Sequence, residues 1–122
     1  MKILVVDDDA LAAEMAGAVL EDAGHEVLLA DNGMAAAELL DADGGIGLVV
    51  SDMNMPLMSG IELFRELRAQ GARLPFVLLT GDDPAGLLAQ EPALDACLLK
   101  DFSLEETLPQ VVAAILARHA PA

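Results

Sequence analysis

Short apolar runs, each closed abruptly by a polar residue, constrain this chain more than any other feature. Residues 3–6 (Ile-Leu-Val-Val), 48–50 (Leu-Val-Val), 76–79 (Phe-Val-Leu-Leu) and 97–99 (Cys-Leu-Leu) are apolar without interruption. A strand with one wet face alternates apolar and polar residues, so unbroken runs of this length fit strands covered on both faces. A fifth, weaker run at 27–30 follows the Gly24-His25 turn. Between the runs, apolar residues recur at helical spacing. Leu11, Met15, Ala18 and Val19 mark one helix face, with Gly24 as its stop, and Met34, Ala37 and Leu40 mark a second. Ile61, Phe64 and Leu67 mark a third, leaving Glu62, Arg65, Glu66 and Arg68 outside; Leu108, Val111, Val112 and Ile115 mark the last. Strand and helix alternate about five times, which predicts an α/β fold with a parallel sheet and right-handed crossovers.

Two helices carry conflicting signals. Asp82 or Asp83 can cap a helix with Pro84 at its first position, but Gly86 weakens it and Pro92 ends it, so it reaches about two turns. In the last helix, Ser103 with Glu106 matches a capping box, yet Pro109 would then fall in the second turn and cost a backbone hydrogen bond. Thr107 with Gln110 offers a later start that avoids this. There are no repeats, low-complexity runs or linkers, so one domain spanning 1–122 is expected, with no output domain.

Composition excludes several functions. The formal charge is −15, from 21 acidic against six basic side chains, so no basic face exists to displace counterions from nucleic acid. Trp and Tyr are absent and Phe numbers three, which argues against stacking on bases or sugars. No signal-peptide pattern and no span-length apolar run is present, so a cytoplasmic protein without a membrane partner is expected. The single cysteine, Cys97, rules out an intramolecular disulfide.

Ligands of open α/β sheets sit beyond the carboxyl ends of the strands. The residues placed there are Asp7, Asp8 and Asp9 after the first run, Ser51-Asp52 after the next, then Thr80-Gly81 and Lys100. Asp9 reads simply as a helix cap. Asp7, Asp8 and Asp52 cannot share one site comfortably unless they take up protons or bind a cation. A hard divalent ion such as Mg²⁺ suits these oxygens. A carboxylate attacking a phosphoryl group would need this neutralisation, with an ammonium and a hydroxyl to hold the phosphoryl oxygens and Gly81 to admit a backbone N–H.

At these residues the chain resembles the receiver domains of two-component response regulators, over essentially its whole length. Residues 3–9, ending in Asp7-Asp8-Asp9, resemble the family's first strand and acidic pair. Asp52-Met53-Asn54-Met55-Pro56 with Gly60 four residues on resembles its phosphoacceptor strand and loop; Thr80-Gly81 and Lys100 match its hydroxyl and lysine positions. The resemblance implies a flavodoxin-like (βα)5 sheet of order 2-1-3-4-5, from which the shortened fourth helix read above is a departure. It implies Asp52 as phosphoacceptor, Mg²⁺ on Asp8, Asp52 and the Asn54 carbonyl with Asp7 helping through water, and Thr80 and Lys100 on the phosphoryl group. The implied role is signalling rather than enzymatic. The phosphoryl donor would be a histidine kinase or histidine phosphotransfer protein, the reader a downstream protein, and the domain a monomer or weak phosphorylation-dependent dimer. Asn54 and Asp82 occupy the positions that tune autodephosphorylation in the family.

Departures from the pattern concentrate on one side. Asp101 stands where the family has proline in a Lys-Pro cis bond, and Cys97 stands where it has a rotating aromatic switch. A cis bond before Asp101 would cost roughly 2.5–4 kcal/mol, so a trans bond is expected. Cys97 lacks the bulk of a ring, so the loop over 81–92, rich in Gly, Pro and Asp, is expected to be mobile and to report phosphorylation. A receiver-fold binding module without a switch is one rival reading. A haloacid-dehalogenase-type phosphatase using Asp7 and Asp9 is the other. That second rival leaves the Asp52 segment unexplained and places Lys100 on the wrong side of Asp82-Asp83.

Overall fold

The five apolar runs become five strands. In the computed structural model, which describes residues 1–101 and 103–119, the chain runs β1 (Lys2–Val6), α1 (Ala10–Asp22), β2 (Glu26–Ala30), α2 (Gly33–Ala42), β3 (Ile46–Asp52), then α3 (Gly60–Ala69), β4 (Phe76–Thr80), α4 (Pro84–Gln90), β5 (Ala96–Leu99) and α5 (Leu104–His119). The strands form one parallel sheet of order β2-β1-β3-β4-β5. This is the flavodoxin-like order expected from the resemblance.

Because side chains alternate across a strand, each continuous apolar run feeds two cores. Leu4, Val6, Val49, Phe76 and Leu78 pack with Ala36, Ile61, Phe64 and Leu67 beneath α2, α3 and α4. Ile3, Val5, Leu48, Val50, Val77 and Leu79 pack on the other face with Ala13, Ala16, Leu20, Leu108, Val112 and Ile115 of α1 and α5.

The structure corrects the face assigned to α1. Its inward residues are Ala13, Ala16, Gly17 and Leu20, whereas Leu11 and Met15 are 66% and 55% exposed. The helix is apolar nearly all round, so periodicity alone could not choose a side. Small residues decide it, because they let the helix lie close to the sheet: a Cβ on Gly17 would stand 3.3 Å from a Val27 methyl. Met34 of α2 likewise turns outward, and Gly33 and Ala36 turn in, with Met58 packed over Gly33. The stripe of α3 is as expected, with Leu63 added.

Helix ends also differ in part. Asp83 caps α4 through Gly86 N–H, as expected, and Pro84 leads the helix. No residue of α4 is fully buried, and Arg65 of α3 ties its C-cap Glu91 at 2.9 Å. For α5 the later start at Thr107 is not adopted. The helix begins at Leu104 and keeps Pro109 inside, with Glu105 and Glu106 in the first turn, where the helix dipole favours them. Burial of Leu108, Val112 and Ile115 offsets the lost backbone bond. Ser59 and Glu62 form a reciprocal capping box on α3, which the Ser-x-x-Glu spacing ahead of an apolar run encodes.

Gly60 is required by this packing. A Cβ there would lie 2.5 Å from the Asp52 carbonyl oxygen, and Gly60 N–H donates to Met53 O at 2.9 Å. The start of α3 therefore abuts the end of β3 with no room for a methyl group. Gly60→Ala should destabilise the domain by about 1–3 kcal/mol. In urea unfolding, an unchanged midpoint would show that the contact yields without cost.

Candidate functional site

Parallel register brings the carboxyl ends of β1, β3, β4 and β5 to one edge. Val6 pairs Ser51, Asp52 pairs Leu79, and Thr80 pairs Leu99. The residues that follow are then neighbours in space although far apart in sequence. Asp7, Asp52 and Thr80 are only 3%, 6% and 2% exposed, and Asp8 is open to solvent.

Lys100 holds the group together. Its Nζ donates to Asp7 Oδ2 at 2.9 Å and lies 3.4 Å from Asp52 Oδ1. Its backbone N–H donates to Thr80 O at 2.7 Å, which clamps the end of β5 to β4. The other oxygen of Asp7 accepts the Asp9 N–H at 2.9 Å. One carboxylate oxygen from each of Asp7, Asp8 and Asp52 falls within 4.8 Å of the others. That donor set, all hard oxygens with two of the three carboxylates buried, fits Mg²⁺. Asp9 turns away and caps α1, accepting from Leu11 and Ala12 N–H, as its plain reading held.

The charges strain one another. Burial first, and then the charge of Asp7, push the Asp52 carboxyl above its usual range, against the pull of Lys100 and the Asn54 backbone N–H. For Lys100, burial opposes the charged form, but its bonds to Asp7 and Asp52 and their charges outweigh it and hold the ammonium above its ordinary value.

Around this centre, Thr80 Oγ1 accepts the Asp82 N–H at 3.1 Å. Asn54, Thr80 and Asp82 line one cavity of about 300 Å³, so the two positions noted for autodephosphorylation do share a space beside Thr80. Gly81 is exposed, and a Cβ there would meet nothing within 4 Å, so protein packing does not demand glycine at this position. Ser51 is buried and donates to the Asp52 carbonyl, a structural role. Leu57, unremarked in the sequence, is fully exposed and takes the left-handed backbone (φ 68°) between Asp52 and α3, a conformation that costs a leucine roughly 1–2 kcal/mol. Cys97 sits in the core beside Phe76 and Leu78, and burial and the Asp83 charge raise its thiol, so it is packing and not a nucleophile. The Lys100–Asp101 bond is trans, and no described peptide bond is cis.

A family model for the response regulator receiver domain matches residues 3–112. The chain belongs to the response regulator receiver domain family. It is 37% identical to the response regulator MprA of Mycobacterium avium (strain 104) over 123 residues, covering 99% of this chain and 53% of that protein. It thus spans about half the length of the curated relatives it matches. Among solved structures, a response regulator receiver domain protein from Clostridium thermocellum superposes with a TM-score of 0.85 at 27% identity, over 97% of this chain and 95% of that one. Response regulator protein TrrA from Thermotoga maritima, solved in complex with Mg(2+)-BeF, superposes at 0.84 with 30% identity, over 94% and 98%. The receiver reading thus stands over the phosphatase reading, and both oxygens of Asp7 are already engaged. Among the described residues, no helix is long and apolar enough to cross a membrane.

The raised Asp52 carboxyl gives a stability prediction for the receiver domain. An acid whose folded pKa exceeds its unfolded value binds its proton more tightly when folded, so the folded state loses stability as pH rises through that window. In metal-free buffer at neutral pH, Asp52→Asn should therefore raise the melting temperature. The gain should vanish below the ordinary carboxylate range, where Asp52 is neutral in both states. Calorimetry across pH with a chelator present measures it, and a lower melting temperature for the variant at neutral pH would contradict the assignment.

Proposed function

We propose that this receiver domain accepts a phosphoryl group on Asp52 in a two-component phosphorelay. The observation that carries the reading is the buried Asp52 carboxylate, 3.4 Å from the Lys100 ammonium and grouped with Asp7 and Asp8 at one sheet edge. An Asp52 oxygen forms the new O–P bond. The P–N bond of a phosphohistidine donor breaks, and its imidazole leaves with the electron pair and regains a proton. The donor class is a sensor histidine kinase or a histidine phosphotransfer protein. A small acyl phosphate can replace it, with a carboxylate leaving.

Asp8, Asp52 and the backbone carbonyl of Asn54 would hold Mg²⁺, with Asp7 helping through water; the ion when bound neutralises the charge of the phosphoryl oxygens. Lys100 follows the charge from the carboxylate to the phosphoryl oxygens. The Thr80 hydroxyl and the Gly81 N–H donate to the same oxygens. Asn54 and Asp82, across the cavity beside Thr80, order the water that later hydrolyses the acyl phosphate. The domain is a cytoplasmic signalling module rather than a free-standing enzyme, and a downstream protein reads it. Cys97 is core packing, so the message leaves through Thr80, its Asp82 contact and α4, none of whose residues is fully buried.

Intact-mass analysis after incubation with a small acyl phosphate and Mg²⁺ tests the acceptor. Wild type should gain one phosphoryl group and Asp52→Asn none; a gain retained by the variant would move the acceptor elsewhere. Thr80→Ala should slow the transfer by roughly 10²-fold. Asp8→Ala should greatly weaken Mg²⁺ binding in a calorimetric titration, and unchanged affinity would remove Asp8 from the ligand set.

A further inference from the structure

Lys100 must keep its ammonium between Asp7 and Asp52, yet it stands at a strand-to-helix junction whose next residue is Asp101 rather than a ring-constrained proline. The structure fills that role with side-chain hydrogen bonds. The Asp101 carboxylate oxygen Oδ1 accepts the Ser103 N–H at 2.9 Å and also the Ser103 hydroxyl. The Asp101 carbonyl accepts the Leu104 N–H at 3.1 Å, and the Asp101 N–H donates back to Leu99 O at 3.0 Å. Asp101 is thus fastened both to the end of β5 and to the first turn of α5. That helix is anchored in turn by Leu108, Val112 and Ile115, all at or below 1% exposure.

We propose that Asp101 is a positioning residue for Lys100. Its carboxylate holds Ser103 at the start of α5, which fixes the backbone that follows Lys100 and so where the lysine begins its reach to Asp7 and Asp52. The consequence for phosphoryl transfer rests on the reading of Asp52 as acceptor. The positioning itself does not, since it is a property of the resting domain. Asp101 is exposed and its hydrogen bonds run to Ser103, Leu104 and Leu99 rather than to Asp7 or Asp52, so its effect passes through the backbone. What Ser103 requires is an acceptor oxygen, not a negative charge.

That requirement separates positioning from electrostatics. Asp101→Asn keeps an oxygen that can accept both Ser103 bonds, whereas Asp101→Ala keeps none. The chain has only two lysines, Lys2 and Lys100, so ¹⁵N-lysine labelling gives two side-chain ammonium signals, assigned with Lys2→Arg. In the unphosphorylated domain, Asp101→Ala should broaden or shift the Lys100 signal while leaving that of Lys2 in place, and Asp101→Asn should restore it. Transfer from a small acyl phosphate at saturating donor and Mg²⁺ should slow by roughly tenfold in Asp101→Ala and recover in Asp101→Asn, since small misplacement of an aligned group costs rate steeply. A wild-type Lys100 signal in Asp101→Ala would overturn the proposal, as would equal disturbance in both variants, which would assign the effect to charge. If the signal behaves as expected but wild type takes no phosphoryl group, the acceptor reading fails and the positioning stands.

Discussion

One lysine ammonium set among carboxylates organises this molecule. Asp7 and Asp52 are almost wholly buried and near enough to repel, and Asp8 adds a third acid at the mouth. Burying such charges uncompensated costs several kcal/mol per ion. Lys100 offsets part of that cost, yet the Asp52 carboxyl still sits above its ordinary range, so the resting domain holds charge it does not fully neutralise. That unmet demand supports the proposed binding of a hard cation and then of a phosphoryl group. A comfortable site would have no reason to bind either.

That arrangement depends on details outside the three clustered carboxylates. Gly60 lets α3 press against the Asp52 carbonyl, and the Ser59–Glu62 box fixes where α3 begins. Lys100 is set by the bond from its backbone N–H to Thr80 O and by the Asp101–Ser103 bonds that follow. The small residues of α1 bring that helix onto the sheet beside Asp7. Gly60 and the Lys100 N–H act through close approach of backbone to backbone, and the Ser59–Glu62 and Asp101–Ser103 pairs act through side-chain hydrogen bonds.

The side formed by β4, α4 and β5 departs most from the usual receiver pattern. Cys97 is buried beside Phe76 and Leu78 and cannot copy a swinging ring. The segment after β4 folds the short helix its Asp83-Pro84 start predicts, over Pro84–Gln90, with no fully buried residue. Leu87 and Leu88 rest partly on the core, and the Arg65–Glu91 ion pair tethers the far end. Such an element has little apolar area to lose on moving, so local rearrangement there costs less than elsewhere.

Much of this was legible in the sequence, and the reason is chemical. Short unbroken apolar runs between helical patterns fit doubly covered strands, and acids placed after them fall at one sheet edge in a parallel arrangement. The five strands, the parallel sheet and the convergence of Asp7, Asp8, Asp52, Thr80 and Lys100 follow from that. The strand order came from the family resemblance, because periodicity carries no order. Tertiary structure alone decided the rest. It chose the buried face of α1, because a helix apolar on every side holds no preference until small residues meet the sheet. It kept Pro109 inside α5, because burial of Leu108, Val112 and Ile115 outweighs one missing hydrogen bond. It also paired Asp101 with Ser103 and Lys100 with Asp7, since spacing along a chain does not say which acid a side chain meets.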